Sequence, residues 1–309
     1  MELIRGLHNL RPRHHGSVVT IGNFDGVHLG HQAILGALRE AGARLGLPDT
    51  VMIFEPQPQE FFQGQAAPAR LMHWRDKVDA LAAAGVARVL CVRFDERFRG
   101  LTARQFIDRL LVQGLGCRHL VIGDDFRFGC DRSGDFALLT AAGQEHGFAV
   151  QHTPTIEIDG ARVSSTRIRA ALRAGDFAQA GRLLGRPYGV SGHVVHGDKI
   201  GRRLGVPTAN VLAQRQVSPL GGIYAVTVRN SVTGLSAHGA CSVGKRPTVN
   251  GLDERFETYL LDFEGDIYGH RIHIDFHHKI RDELKFNGLE ELMVAMQNDI
   301  AETRRFFGI

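Results

Sequence analysis

The sequence predicts two joined folds, an α/β layer structure followed by a compact strand-rich domain, and three observations carry that prediction. At 309 residues the chain holds enough apolar surface for two separate cores. Up to about residue 185, strand-like runs at 17–22, 50–54, 88–94, 119–123 and 148–152 alternate with helical periodicity. Beyond Arg186 the pattern shortens to runs at 223–228, 256–263 and 272–276, separated by Gly, Asn and Asp, as in an antiparallel barrel.

The alternating half implies a mostly parallel sheet with helices on both faces, whose ligands sit beyond the carboxyl ends of the strands. Its first strand, Ser17-Val18-Val19-Thr20-Ile21, is β-branched and apolar throughout. A helix follows from near Gly30, where Ile34, Leu38, Ala41 and Leu45 recur at helical spacing. Thr102 and Gln105 form a capping box for a helix carrying Phe106, Leu110 and Leu111. A helical stretch over 166–184 joins the halves, which places the domains at 1–185 and 186–309. A closing helix over 289–307 carries Leu292, Met293, Met296 and Ile300 to cover the barrel.

Composition narrows the class. Hydrophobic residues make up 43% and charged residues 23%, with no apolar run long enough to span a bilayer and no signal-peptide core in MELIRGLHNL, so a cytoplasmic protein is expected. The net charge of +4 is dispersed, which argues against nucleic acid and suits small anionic substrates. Cys91, Cys117, Cys130 and Cys241 show no CxxC spacing and read as reduced thiols. A monomer or weak homo-oligomer without membrane partners is the expectation.

Two segments carry chemistry. Gly22 to His31 reads GNFDGVHLGH and sets His28 and His31 at a strand-to-helix junction, where unpaired backbone N–H groups favour anions. The segment 162–169, RVSSTRIR, adds hydroxyls at a helix start and arginines in planar forks, so that Arg162, Ser165, Thr166 and Arg169 join Gly22, Asn23, Phe24 and Asp125 as candidate nucleotide or phosphate contacts. Neither GxGxxG nor GxxxxGK[ST] is present, and no third ligand is spaced to complete a zinc site with His28 and His31. In the other half, 197–210 is glycine-rich, and Gly201 and Gly205 with Thr208 and Asn210 suggest a flap over phosphates with hard oxygen ligands for Mg²⁺. Strand alternation puts Glu257 and Tyr259 on one face, where a base would need to reach a substrate hydroxyl.

GNFDGVHLGH at 22–31, FEPQP at 54–58, GDDFRFG at 123–129 and RVSSTRIR at 162–169 resemble, in order and spacing, the signatures of the prokaryotic FAD synthetase adenylyltransferase domain. GRRLGVPTAN at 201–210, GGIY at 221–224, VGKRPTVNG at 243–251, ETYLLDFEGDIYG at 257–269 and RDELKF at 281–286 are similar to riboflavin kinase. Together the two resemblances cover nearly the whole chain and imply the bifunctional riboflavin kinase/FAD synthetase family.

The resemblance implies a Rossmann-like nucleotidyltransferase domain followed by a six-stranded antiparallel barrel with a covering helix. It implies phosphorylation of riboflavin to FMN and adenylylation of FMN to FAD, both with ATP and Mg²⁺. His28 and His31 would stabilise charge at the α-phosphorus of ATP, and Arg162, Ser165 and Thr166 would hold the pyrophosphate side. Thr208 and Asn210 would coordinate Mg²⁺ and nucleotide phosphate, and Glu257 would act as base on the ribityl 5′-hydroxyl. Two positions depart from the family pattern: Gln57 stands where His is usual, and Asp95 where Asn is frequent. Two other readings stay open on the residues alone: a nucleotidyltransferase for a different phosphorylated acceptor with a passive barrel, and a flavin- or RNA-binding protein without turnover.

Overall fold

The computed structural model describes every residue except 198–205, 213–217, 231 and 249–250. The chain forms two compact units, Met1–Pro68 with Lys77–Ser164, and Ala69–Asp76 with Ser165–Ile309. Along the chain come β1 (Glu2–Arg5), β2 (Ser17–Ile21), α1 (Leu29–Leu45), β3 (Asp49–Glu55), α2 (Pro58–Gln63), α3 (Trp74–Ala83), β4 (Arg88–Arg93), α4 (Glu96–Arg99), α5 (Ala103–Phe106), β5 (Cys117–Gly123), α6 (Phe136–His146), β6 (Ala149–Thr153), and a small hairpin of β7 (Glu157–Ile158) and β8 (Ala161–Arg162).

In the first unit six parallel strands lie in the order β1-β4-β3-β2-β5-β6. The expected five strands are all present. The edge strand β1 is added by four residues, ELIR, whose mixed polarity does not announce a strand. Chain order reverses between β2 and β5, and this switch point is where a parallel sheet opens a crevice for ligands. The loops after β2 and β5 carry the histidine motif and Asp124-Asp125.

The sheet interior is continuous: Val19, Ile21, Met52, Leu90, Leu120 and Ile122 are buried against Phe106, Ile107, Leu110 and Leu111. The capping box is present, Gln105 N–H donating to Thr102 Oγ1 at 3.2 Å and Thr102 N–H to Gln105 Oε1 at 3.1 Å. Past α5, however, residues Ile107–Gly114 wind as a π-helix. In α1 the expected stripe shifts slightly, with Leu35, Leu38 and Ala41 buried and Leu45 44% exposed. The two family departures both serve as helix N-caps. Gln57 precedes α2, and Asp95 Oδ1 accepts from Phe98 N–H at 2.9 Å to cap α4, a bond an Asn oxygen makes equally well. All four cysteines are free thiols, and burial pushes the Cys117 thiol up to about 12.

The second unit begins with α7 (Ser165–Arg173) and α8 (Phe177–Leu184). Six antiparallel strands follow: β9 (Tyr188–Val195), β10 (Thr208–Leu212), β11 (Gly222–Asn230), β12 (Leu235–Thr248), β13 (Gly251–Leu260) and β14 (Arg271–Arg281). They close in the order β10-β13-β12-β11-β14-β9. The units divide at 164/165, whereas the change of element type placed the boundary at 185. The reason is packing, since the Phe177 ring of α8 lies 5.5 Å from Tyr224 in a barrel core that also holds Phe256 and Phe276.

The closing helix, α9 (Leu289–Phe307), spans the expected residues. Of the expected covering positions Leu292, Met296 and Ile300 are half-buried, Met293 is 40% exposed, and the fully buried positions on that face are Asp299 and Thr303. Arg281 sets that rotation, donating from Nε and Nη2 to the two Asp299 oxygens at 2.7 Å each. His238 stacks on Phe307 at 3.9 Å further along the same face. Among the described residues, no helix is long and apolar enough to cross a membrane.

Candidate active sites

β2 must turn into α1 through the loop 22–28, and it does so with three residues at positive φ: Phe24 at 48°, Gly26 at 89° and Val27 at 41°. A β-branched residue there is strained by about 1–3 kcal/mol, and such strain persists only where surroundings impose it. Here Phe24, Asp25, Val27 and His28 are all buried, between 1% and 6% exposed. His28 caps α1: its Nδ1 accepts from His31 N–H at 3.3 Å. An accepting Nδ1 carries no proton, so the proton resides on Nε2. Gly30 gives the ring room, since a Cβ there would sit 3.2 Å from it, tighter than ordinary van der Waals contact.

The His28 and His31 rings stack at 3.6 Å with 15° between their planes, and Phe24 backs His31 at 4.9 Å. His31 Nδ1 is buried without a hydrogen-bond partner among the described residues. Burial first, then the adjoining His28 ring and the positive fields of Lys77 and Arg162, hold the His31 pKa well below its ordinary 6.5. The native chain therefore presents a neutral imidazole inside a positive field, suited to a polyanion. Lys77, fully buried on α3, is a contributor that the sequence reading missed.

The sign of the linked stability effect follows directly. Between the lowered native pKa and 6.5 the unfolded chain binds a proton at His31 that the native chain does not, so stability falls as pH drops below about 6.5. One such proton gives a slope of at most about 1.4 kcal/mol per pH unit. His31→Gln should flatten this acid limb in denaturant titrations between roughly pH 7 and pH 5. Parallel slopes in parent and variant would refute the assignment.

Gly22, Asn23, Phe24 and His28 thus share one loop, and His31 follows in the first turn of α1. Across the switch point, Arg162 Nη2 pairs with Asp125 Oδ1 at 2.8 Å and Arg162 Nη1 with Asp124 Oδ1 at 3.2 Å. Asp124 also accepts from the Thr155 hydroxyl, which holds its carboxyl below the usual range. Asp125 cannot donate to a phosphate, so its contribution there is to orient Arg162.

Ser165 and Thr166 open α7, the first element of the second unit. Arg169 is 8% exposed, and its Nε donates to the Ala69 carbonyl at 2.5 Å. That bond ties the 69–76 segment to α7 and accounts for the burial of Arg169 without a ligand.

In the barrel, Thr208 and Asn210 lie on β10 rather than on a flap, while Gly201 and Gly205 fall outside the described residues. Asn210 is directly opposite Glu257 of β13, and Thr208 opposite Tyr259, so a hydroxyl, an amide and a carboxylate share one face of two adjacent strands. Gly197 crosses closely above, since a Cβ there would sit 2.5 Å from the Asn210 amide. Among the described residues no three His, Cys, Asp or Glu side chains converge on a metal position. The oxygen-only donor set of Thr208 and Asn210 nonetheless suits Mg²⁺, which takes few protein ligands and completes its shell with phosphates and water.

Sequence reasoning also missed a row of phenylalanines beyond the strand ends of the first unit. Phe54 lies 5.4 Å from Phe98, Phe62 5.7 Å from Phe94, and Phe106 5.1 Å from Phe128, with Phe62 60% exposed. The available signal was the clustering of Phe just after β3, β4 and β5.

Comparison with known proteins accounts for both halves. Residues 10–167 match the FAD synthetase family and residues 184–307 the riboflavin kinase family. A Pseudomonas fluorescens protein named bifunctional riboflavin kinase/FMN adenylyltransferase is 53% identical over 98% of this chain and 97% of its own length. The protein of that name from Escherichia coli K12 is 50% identical over 100% of this chain and 99% of its own. Among solved structures, a chain titled macrolide-efflux protein from Streptococcus pneumoniae superposes with a TM-score of 0.80 at 31% identity, covering 98% of this chain and 99% of its own.

Proposed function

The chain belongs to the bifunctional riboflavin kinase/FMN adenylyltransferase family, and from that premise we propose which residues carry each reaction. It phosphorylates riboflavin to FMN with ATP and adenylylates FMN to FAD with release of pyrophosphate. Residues 1–185 carry adenylyl transfer, and 186–309 carry the kinase.

The stacked imidazole pair at the N-terminus of α1 is the observation that supports the adenylyl assignment most strongly. An FMN phosphate oxygen attacks the α-phosphorus of ATP, the bond to the bridging oxygen breaks, and pyrophosphate leaves. His28 donates from Nε2, and His31 and the free N–H groups of α1 meet the charge that develops on the α-phosphate oxygens. Arg162, Ser165 and Thr166 hold the departing pyrophosphate, and Asp124 and Asp125 fix the Arg162 fork. The phenylalanine row offers a planar apolar wall for the isoalloxazine ring.

In the barrel, Glu257 takes the proton of the ribityl 5′-hydroxyl as that oxygen attacks the γ-phosphorus and ADP leaves. Thr208 and Asn210 would hold Mg²⁺ through their side-chain oxygens, and the ion would supply neutralisation of charge on the nucleotide phosphates. The enzyme works in the cytoplasm on small molecules, without nucleic acid, as a monomer or weak homo-oligomer.

A time course of riboflavin with Mg²⁺-ATP, resolved by chromatography, tests the whole reading. FMN should rise first and FAD follow. Preferential adenylylation of a phosphorylated acceptor other than FMN would overturn it.

A further inference from the structure

We propose that the first unit holds an additional binding site for an aromatic phosphate, a nucleotide or flavin phosphate, in a pocket that shares only Phe98 with the proposed flavin wall and no residue with the histidine motif. The pocket measures about 790 Å³ and is formed by three segments, 6–15, 92–101 and 109–114. That volume is typical of small-molecule sites. No residue of the 22–31 motif lines it, and of the phenylalanine row only Phe98 does.

Its chemistry is that of an anion site with an apolar floor. Leu7, Leu10, Val92, Phe98, Leu101 and Leu110 supply the floor. Around them stand Arg11, Arg93, Arg97 and Arg109, with His8 and His15, against the single carboxylate of Asp95. That carboxylate is already engaged, accepting from Phe98 N–H at 2.9 Å and lying 3.9 Å from Arg93 Nε. Arg11 donates to the His8 and Leu10 carbonyls at 2.8 and 2.9 Å, which leaves its charge uncompensated. The guanidinium groups of Arg97 and Arg109 have no hydrogen bond or ion pair among the described residues. Guanidinium forks without carboxylate partners, set beside apolar surface, match a phosphate attached to a ring.

The backbone around the pocket is specialised on two sides. Arg109, Leu110, Gln113 and Gly114 come from the π-helix at Ile107–Gly114, a winding that is rare and concentrates at functional sites. Opposite it, Gly6 takes φ 81°, and a Cβ there would meet the His8 ring at 2.7 Å, so only glycine lets His8 fold back.

The test is equilibrium dialysis of the full chain against FMN, ADP and inorganic pyrophosphate in separate arms, with the double variant Arg97→Gln/Arg109→Gln alongside. The variant should lose one equivalent of FMN or of ADP relative to the parent, and the arm in which the loss occurs identifies the ligand. It should still form FMN and FAD at the parent's kcat, which separates this site from the two catalytic ones. Unchanged stoichiometry for both FMN and ADP would overturn the proposal. So would pyrophosphate binding at the variant-sensitive site as tightly as the ring-bearing ligands, because the apolar floor would then contribute nothing.

Discussion

Replacing His31 by alanine is expected to lower FAD formation by roughly 10²–10³-fold, the usual loss when one preorganised donor to a developing oxyanion is removed. FMN formation from riboflavin should continue at the parent rate. The His31 ring contributes a neutral donor within a positive field from Lys77 and Arg162, and it also stacks on His28 at 3.6 Å. Alanine removes both the donor and the stack. It keeps the backbone N–H of residue 31, which bonds His28 Nδ1, so the cap of α1 and the fold of the loop should survive. Circular dichroism and the retained kinase activity provide the control. A folded variant that loses FMN formation as well would refute the assignment of the two reactions to separate residue sets.

How far the sequence discloses such a site depends on how local its causes are. His28 and His31 are legible because the strand before them, the helix after them and the glycines between are all contiguous in sequence. Thr208, Asn210 and Glu257 are legible as types, yet their alignment rests on the pairing of β10 with β13, which no local pattern states. The surroundings of His31 are hidden for the same reason. Lys77 reaches it from α3, and Arg162 from a hairpin that the β5 loop holds through Asp124 and Asp125. Arg169 is a further non-local case, since its Nε donates to the Ala69 carbonyl, a partner that no local pattern announces. The π-helix is illegible because eight residues cannot separate its period from that of an α-helix. Met293 was assigned to the covering face by hydropathy, but the Arg281–Asp299 pair fixes the rotation of α9, and hydropathy does not weigh a buried ion pair.

Glu257→Gln is expected to lower riboflavin phosphorylation by about 10²–10⁴-fold, the range for loss of a general base, while FMN supplied directly is still converted to FAD. Glutamine keeps the size, the planar end group and an accepting oxygen, so the ladder that sets Glu257 opposite Asn210 and Ser242 stays in register. What it cannot do is take the proton of an attacking hydroxyl. The loss should therefore fall on kcat, with the KM for ATP little changed. Thr208→Val provides the contrast, since it removes an oxygen from the opposing strand without touching the carboxylate. That variant should raise the Mg²⁺ concentration needed for half-maximal kinase activity and recover much of its rate when Mg²⁺ is abundant. If Glu257→Gln were instead restored by excess Mg²⁺, the carboxylate would be serving as a metal ligand rather than as the base. If Glu257→Gln kept the parent rate, the proton would leave by another route.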